Sequence, residues 1–455
     1  MAFDRYNLDE AEKLVNEILK ENINYNDAKI LLARILASRQ KYTDAIAQLT
    51  EVLWSEPNSS EALLLSGQLY QAAGDPKKAD KQFAELVQIN PANIQAILFA
   101  YDKAVRKKDY SYAKSLVEKG LAYNPGNFLL LEKLVAVNIY NKNWEQAKAV
   151  IQSISANASY LAKDLAKFLT GDLYEAQGDF AKAISVFKEM ASQFPDNQDV
   201  LKKLIYNFDQ LSQTSEAIRF LNELFEKNPG SVNLGLQLGE LYKVNKQFDK
   251  ASQLVNRLLE KSNAPQLYLF SSKLKILQNN TLDAIKTYQE GLKANPGDQE
   301  LIIGLASAYE IKGNFDQAIA EYEALLAKNP YNDMAINNLA SILIEHFQDK
   351  EKIQRAVDLA QKFKDYDNPY YRDTYAWSLL KLGNLSEGVN QLKQIVSSNP
   401  DTSVFRYHLG YGYYKSNNPN AAITELKQAI QLSNKNGFFT DKNNAEALLN
   451  SLEKK

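Results

Sequence analysis

The sequence predicts an all-α fold in which pairs of short helices stack one after another along the chain. The first observation behind this prediction is a set of prolines that recur at intervals of 34 residues or about twice that: Pro57, Pro91, Pro125, Pro195, Pro229, Pro296, Pro330 and Pro400. The second is that small and bulky residues keep fixed positions inside each interval. The third is a turn signal near mid-interval, such as Gly178-Asp179 or Gly313-Asn314. A sustained period of this length is typical of a solenoid built from one repeated supersecondary unit.

Each unit is predicted to contain two closely packed helices. In the unit that begins at Ser60, position 8 is Gly67 and position 20 is Ala79, and these small residues let the helices approach. Bulky residues at positions 11, 24 and 27, such as Phe83 at position 24, fill the remaining space. The proline that closes each unit, most often as Asn-Pro, breaks the second helix. Units with this pattern begin near residues 26, 60, 94, 128, 164, 198, 232, 265, 299, 333, 369 and 403.

The two ends of the chain differ from the regular units. Leu8 to Asn22 is predicted to form the second helix of an incomplete unit whose first helix is missing. We therefore expect that a leader or anchor was removed upstream of Met1. At the other end, Asp441 to Leu452 carries Ala and Leu on one side and Lys and Asn on the other. This pattern predicts an amphipathic helix that caps the last pair and turns a polar face to water.

The period is interrupted in two places. About two extra residues fall around Ser155–Ala162, and about four fall around His346–Glu351, where we expect a longer loop between paired helices. Asn138, Lys275 and Thr281 occupy positions that are usually apolar or aromatic, so we expect looser packing in the units that begin at 128 and 265.

Composition and charge exclude several classes of function. The net charge is −2 and Lys and Glu are mixed along the chain, so there is no basic stripe for nucleic acid. No apolar run approaches the roughly 20 residues of a membrane helix, and the absence of cysteine excludes disulfides and Cys-ligated zinc. His346 and His408 are the only histidines, and His346 has Glu345 beside it but no HExxH pattern or third metal ligand nearby in the sequence. The Gly410–Lys415 run lacks the strand that must precede a phosphate loop. Because no nucleophile elbow or catalytic triad is recognisable either, we expect no enzyme activity, no metal and no cofactor.

The repeat resembles the tetratricopeptide (TPR) family over nearly the whole chain. The resemblance implies an all-α, right-handed superhelical solenoid of about twelve to thirteen helix-turn-helix units with a C-terminal capping helix. The chain is expected to form a single superhelix over 1–455, made of an incomplete unit (1–25), N-terminal units (26–163), remaining units (164–434) and a cap (435–455). In this family, ligands usually lie against the first helix of each pair, at positions 2, 5, 6, 9, 12 and 13. A protein or peptide partner in the concave groove is therefore expected.

Those positions are most distinctive in the last two units. They carry the candidate binding residues Tyr370, Asp373, Trp377, Tyr407, His408, Tyr411 and Tyr414. Position 9 is expected to point into the groove rather than between helices, so core packing would not explain the indole of Trp377. For Tyr370, Tyr407 and Tyr411 two interpretations stay open: they bind a ligand, or they stack on the capping helix. A secondary groove candidate is formed by Lys202, Lys203 and Tyr206 on the unit that begins at 198.

The last quarter of the chain resembles a narrower group, the long bacterial TPR proteins, often lipoproteins, of exopolysaccharide and PEP-CTERM export systems. The segments that carry this resemblance are Asn338-Leu-Ala, Ala356 to Phe363, Asp373 to Leu379, Tyr407-His-Leu-Gly and Phe438 to Leu452. The resemblance implies a non-catalytic cell-envelope scaffold, periplasmic or outer-membrane-associated if a leader was removed and otherwise cytoplasmic. Two alternatives remain. One is a carbohydrate-contacting module whose aromatic groove stacks on polysaccharide, and the other is a generic cytoplasmic TPR adaptor.

Overall fold

A computed structural model describes residues 8–39, 41–436 and 439–454 of the chain. Every regular element in these ranges is helical, so the prediction of an all-α fold is confirmed. The helices cluster into two compact units, Met1–Leu224 and Phe225–Lys455. Phe438 and the first seven residues of the predicted incomplete unit lie outside the described residues.

Twenty-six α-helices follow one another along these ranges. They are α1 (Leu8–Glu21), α2 (Asn26–Ser38), α3 (Tyr42–Ser55), α4 (Ser60–Ala72), α5 (Pro76–Ile89), α6 (Ile94–Arg106), α7 (Tyr110–Tyr123), α8 (Phe128–Tyr140), α9 (Trp144–Ser155), α10 (Tyr160–Ala176), α11 (Phe180–Gln193), α12 (Gln198–Gln210), α13 (Thr214–Lys227), α14 (Val232–Val244), α15 (Phe248–Leu259), α16 (Pro265–Leu277), α17 (Thr281–Ala294), α18 (Gln299–Lys312), α19 (Phe315–Lys328), α20 (Asp333–His346), α21 (Lys350–Ala360), α22 (Pro369–Leu382), α23 (Leu385–Ser398), α24 (Ser403–Lys415), α25 (Pro419–Asn436) and α26 (Lys442–Glu453). None of them is both long enough and apolar enough to serve as a membrane span.

The even-numbered helices α2 to α24 are the first helices of twelve pairs, and they begin where the repeat predicts with one exception. Local side chains explain many of these starts. The Asn93 side chain accepts a hydrogen bond from the Ala96 backbone N–H at 3.0 Å, and Asn332 does the same for Ala335 at 2.9 Å. Such caps satisfy backbone donors that have no partner inside the helix.

In ten of the twelve pairs, the turn between the two helices uses a residue with a left-handed backbone conformation. Glycine fills this position at Gly74, Gly178, Gly313 and Gly383. In other pairs it is filled by Lys108, Lys142, Ser212, Lys246, Asn279 and Asn417, whose φ angles lie between 56° and 60°. The backbone geometry of the turn is thus retained while its residue type varies, at a steric cost that only glycine avoids.

The predicted contact between positions 8 and 24 is present in the α4–α5 and α10–α11 pairs. A Cβ added to Gly67 would lie 2.8 Å from the Phe83 ring, and one added to Gly171 would lie 2.5 Å from the Phe187 ring. Phe187 has no exposed surface. The small residue is therefore required because an aromatic ring of the second helix fills the space where its side chain would be.

Two predictions about irregular segments need correction. Only three residues, 347–349, separate α20 from α21, the same number as the 73–75 link between α4 and α5. The extra length falls instead after α21, where a 3-10 turn at Gln361–Phe363 and a short link precede α22. Near 155–162, α10 begins four residues early and so has an additional N-terminal turn.

Two of the polar residues at apolar positions, Asn138 and Lys275, donate hydrogen bonds within the fold. Asn138 is buried, and its amide donates to the Leu134 carbonyl at 2.9 Å. The Lys275 ammonium donates to the Thr287 hydroxyl of the paired helix at 2.5 Å. At the end of the chain, α26 buries Ala445 and packs Leu448, Leu449 and Leu452 against the core, as the predicted cap requires.

Candidate functional site

Trp377 lies on α22 and is in contact with both neighbouring first helices. Its indole N–H donates to the Glu345 carboxylate of α20. Its ring stacks on the His408 imidazole of α24, with centroids 4.0 Å apart and an interplanar angle of 11°. The Tyr411 ring meets the indole edge-on at 4.9 Å. Three first helices of the unit Phe225–Lys455 are therefore joined through one side chain.

The expectation that the indole stands open in a groove is wrong. Trp377 is only 4% exposed, because α24 places His408 and Tyr411 over it. The Lys381 ammonium, 4.7 Å from the ring centroid, adds a cation–π contact. Packing with the next repeat thus explains the indole. If Trp377 contributes to binding, it does so by positioning the aromatic side chains around it.

A buried pair formed by Asp373 and His408 supports this arrangement. The His408 Nδ1 lies 2.9 Å and 3.0 Å from the two carboxylate oxygens of Asp373, and both side chains are almost fully buried. Burial by itself lowers the pKa of His408. The Asp373 carboxylate, assisted by Glu345 and Asp441, outweighs that effect and raises the pKa above its usual value. In its protonated form, the imidazole places a positive charge against the electron-rich face of the indole.

The tyrosines of this region divide between buried and accessible positions. Tyr407 is buried and meets the Phe439 ring at 5.8 Å, just before the capping helix. Burial raises the pKa of Tyr407. Tyr411 and Tyr414 are half-buried, with the Lys415 ammonium 5.5 Å and 5.9 Å from their respective ring centroids.

Four accessible side chains at one end of α22 and α24 form what we call the C-terminal aromatic face. They are Lys381, Tyr411, Tyr414 and Lys415. Tyr370 is 58% exposed and lies at the other end of α22, where its ring contacts Phe405 at 5.0 Å. The structure therefore separates Tyr370 from the other candidates and places Asp373, Trp377, Tyr407 and His408 beneath the face rather than on it.

A chain of polar side chains that extends from α18 to α22 was missed in the sequence. The Thr374 hydroxyl donates to the Asn337 side chain at 2.8 Å. The neighbouring Asn338 donates to the Tyr322 hydroxyl at 3.1 Å, which in turn lies 3.2 Å from the Ser307 hydroxyl. The sequence signal for this chain of hydrogen bonds was the presence of polar residues at positions 5, 6 and 9 of consecutive first helices.

The secondary candidate residues have different surroundings. The Lys203 ammonium lies 2.8 Å from carboxylate oxygens of both Asp172 and Glu175 on α10. Burial alone lowers the pKa of Lys203, but its two carboxylate partners raise it overall. Lys202 and Tyr206 are exposed. Lys203 is therefore neutralised by acidic partners within the chain.

Next to Lys203 is a cavity of about 460 Å³ between α8, α10 and α12, which we call the α10 cavity. Its lining residues are Glu132, Val135, Ala136, Ile139, Tyr140, Leu165, Phe168, Leu169, Asp172, Glu175, Ala176, Asp199 and Lys203. Burial raises the pKa of the Asp172 carboxyl. The sequence signal that could have identified this cavity is the apolar trio Leu165, Phe168 and Leu169 at positions 2, 5 and 6 of one first helix.

Family models agree with the repeat seen in the fold. The tetratricopeptide repeat model matches residues 36–98, 174–224, 210–274 and 275–339. The chain belongs to the tetratricopeptide repeat family. A second tetratricopeptide repeat model matches residues 139–198 and 376–437, so the C-terminal aromatic face lies within a matched TPR segment.

Relatives of this TPR chain are distant in sequence. TPR repeat-containing protein MJ1428 of Methanocaldococcus jannaschii is 23% identical over 421 residues, which cover 81% of this chain and 72% of that protein. TPR repeat-containing protein YpiA of Bacillus subtilis is 21% identical over 386 residues, with coverages of 82% and 88%. Cellulose synthase operon protein C of Pseudomonas fluorescens is 33% identical over 110 residues, which cover 24% of this chain and 8% of that protein.

Proposed function

We propose that this TPR chain is a non-catalytic scaffold that binds a segment of a partner protein at its C-terminal aromatic face. The observation that carries the proposal is the state of Tyr411 and Tyr414. Both are half-exposed aromatic rings on a helix held in place by buried side chains. Tyrosines held in this way offer a large contact area at a low cost in conformational entropy.

The charge of the face specifies the chemistry of its partner. The ammonium groups of Lys381 and Lys415 lie 5.9 Å and 5.5 Å from the centroid of the Tyr411 ring. An apolar or aromatic side chain can pack on the tyrosines while a neighbouring carboxylate pairs with an ammonium. The proposed ligand is therefore a peptide segment that combines an apolar residue with aspartate or glutamate.

The non-catalytic part of the proposal rests on access. A histidine hydrogen-bonded to an aspartate can act as a general base when it faces a substrate. His408 and Asp373 are 5% and 6% exposed, and the open face of the imidazole is covered by the indole of Trp377. The hydrogen bond between His408 and Asp373 therefore has a structural role: it holds the imidazole that packs beneath the C-terminal aromatic face.

The more specific proposal is a role in the bacterial cell envelope, in export or assembly of an exopolysaccharide. It is supported by the resemblance of the last quarter of the chain and by the 110-residue match to a cellulose synthase operon protein. Deletion of the gene in its host, followed by quantification of secreted polysaccharide, tests it. We expect reduced secretion that is restored by the wild-type gene and not by a Tyr411→Ala/Tyr414→Ala gene. Unchanged secretion would refute the pathway and leave the scaffold proposal standing.

The scaffold proposal is tested with a displayed peptide library panned against the whole chain. Selected peptides should bind the wild type, and Tyr411→Ala/Tyr414→Ala should weaken their binding at least tenfold, since aromatic anchors dominate such interfaces. Tyr112→Ala/Tyr123→Ala, which removes two exposed tyrosines from α7, is the matched control and should bind normally. Selected peptides that bind all three proteins equally would contradict the proposal. Binding of soluble glycans, lost in the same variant, would instead favour the carbohydrate-contacting alternative.

A further inference from the structure

We infer that the α10 cavity is a second docking surface, which takes a partner segment with apolar side chains flanked by lysine or arginine. The inference rests on the proposed scaffold function and adds to it a site of opposite charge preference. It concerns only the unit Met1–Leu224, where α8, α10 and α12 lie.

The cavity has the size and the apolar character of a binding site. Its volume of about 460 Å³ falls in the range of pockets that hold small ligands or side chains. Phe168 is half-buried and its ring packs edge-on against the buried Phe187 ring at 5.6 Å, which holds this part of the wall in place. Leu165 and Ile139 add further apolar surface that water covers in the absence of a partner. Filling the cavity with apolar side chains therefore releases water and favours binding.

The rim of the cavity is acidic. Four carboxylates line it, from Glu132, Asp172, Glu175 and Asp199, against the single ammonium of Lys203. That ammonium is already paired with two of the carboxylates. Glu132 is paired only with its sequence neighbour Lys133, at 3.0 Å, and within the described part of the chain no cation lies within ion-pairing distance of Asp199. A net negative rim around an apolar floor selects a basic, amphipathic segment by charge complementarity.

An acidic partner segment is disfavoured by the charge of the same rim. An acidic segment would bring its carboxylates close to four others in a partly enclosed space, where like charges repel more strongly than in water. The Asp172 carboxyl is partly buried, which raises its pKa and makes a further negative charge beside it more costly. The two docking surfaces thus differ in sign, because lysines flank the C-terminal aromatic face and carboxylates flank the α10 cavity.

The inference is tested by fluorescence anisotropy with a labelled synthetic peptide of alternating leucine and lysine pairs, and with the same peptide carrying glutamate in place of lysine. The whole chain should bind the lysine peptide, more weakly as salt rises, and should not bind the glutamate peptide. Glu132→Gln/Asp199→Asn should weaken binding about tenfold, because each neutralised carboxylate lowers the affinity by a few-fold. Ala136→Trp, which fills the cavity without changing charge, should abolish binding.

Controls separate the cavity from the acidic surface in general. Glu145→Gln/Glu216→Gln removes two exposed carboxylates from the second helices α9 and α13 and should leave affinity unchanged. Should Ala136→Trp lose helical circular dichroism, Leu165→Gln removes apolar lining instead and should weaken binding at least fivefold. Equal loss in both charge-neutralised variants, equal binding of both peptides, or no binding by the wild type overturns the inference.

A further variant distinguishes a failure of the inference about the α10 cavity from a failure of the scaffold proposal. Tyr411→Ala/Tyr414→Ala should bind the lysine peptide like the wild type, because those residues belong to the other unit. If that variant loses the lysine peptide while Ala136→Trp keeps it, the cavity is not the site. Library peptides that depend on Tyr411 would still support the scaffold proposal in that case.

Discussion

Replacing Trp377 by alanine should remove the side chain that joins α20, α22 and α24. The indole is 4% exposed, so nearly all of the roughly 150–250 Å² of a tryptophan side chain is buried. At about 25 cal/mol per Å² this area corresponds to roughly 4–6 kcal/mol. We therefore expect Trp377→Ala to lower the free energy of unfolding of this region by about 3–5 kcal/mol, the usual cost of such a truncation.

Two further variants divide this cost between packing and hydrogen bonding. Trp377→Phe keeps a ring against His408 but loses the N–H that donates to Glu345 and part of the buried ring area. Because Glu345 is exposed, its carboxylate returns to water, so the expected loss is about 1 kcal/mol for the hydrogen bond and about 1–2 kcal/mol for the smaller ring. Trp54→Ala is the matched control, since that indole is 90% exposed and its loss should change stability by less than about 0.5 kcal/mol.

The assay is urea unfolding followed by far-ultraviolet circular dichroism, with proteolysis of the C-terminal repeats as a local probe. Repeat arrays need not unfold in a single step, so the local probe decides which repeats are affected. If Trp377→Ala and Trp54→Ala cost the same, the indole does not join the three helices. The explanation given for the geometry of the C-terminal aromatic face would then be wrong.

Three other changes test single features of the fold. Lys142→Gly should stabilise the chain by about 0.5–1 kcal/mol, since φ of 56° strains any residue with a Cβ; a lower thermal midpoint would contradict this. Gly171→Ala should cost about 1–3 kcal/mol by forcing a Cβ within 2.5 Å of Phe187, and Phe187→Leu should relieve most of that cost in a double-mutant cycle. The raised pKa of His408 gives stability that is complete below about pH 6.5 and is lost as pH rises through the folded-state pKa. The thermal midpoint should therefore fall between pH 6 and pH 9, and Asp373→Asn should flatten that fall.

The positions of the helices were predictable because the repeat constrains packing within one pair. Gly171 and Phe187 stand 16 residues apart in the sequence and touch in the fold, so both the period and the contact could be inferred before the structure. Helix starts followed from the same spacing. The extra turn of α10 and the 3-10 turn at Gln361–Phe363 could not be inferred, because an insertion in the sequence does not show which end of a helix absorbs it.

The candidate site was predictable only in part. The family pattern led to the groove positions of the first helices, and two of the residues at those positions, Tyr411 and Tyr414, are accessible. It failed for Trp377 because exposure at position 9 depends on the next repeat, and here that repeat supplies His408, a large side chain, at stacking distance. The cavity beside Phe168 was overlooked because apolar residues on a helix suggest core, and only the fold shows three such helices leaving space between them.

The side chains that link α20 through Trp377 to His408 also affect how the chain responds to mechanical force. A tandem array pulled from its two ends lengthens one hairpin at a time when neighbours are joined by similar contacts. Because Trp377 joins three first helices, we expect their repeats to yield together, in a single larger extension at a higher force. Those repeats would then act as one stiff segment under load.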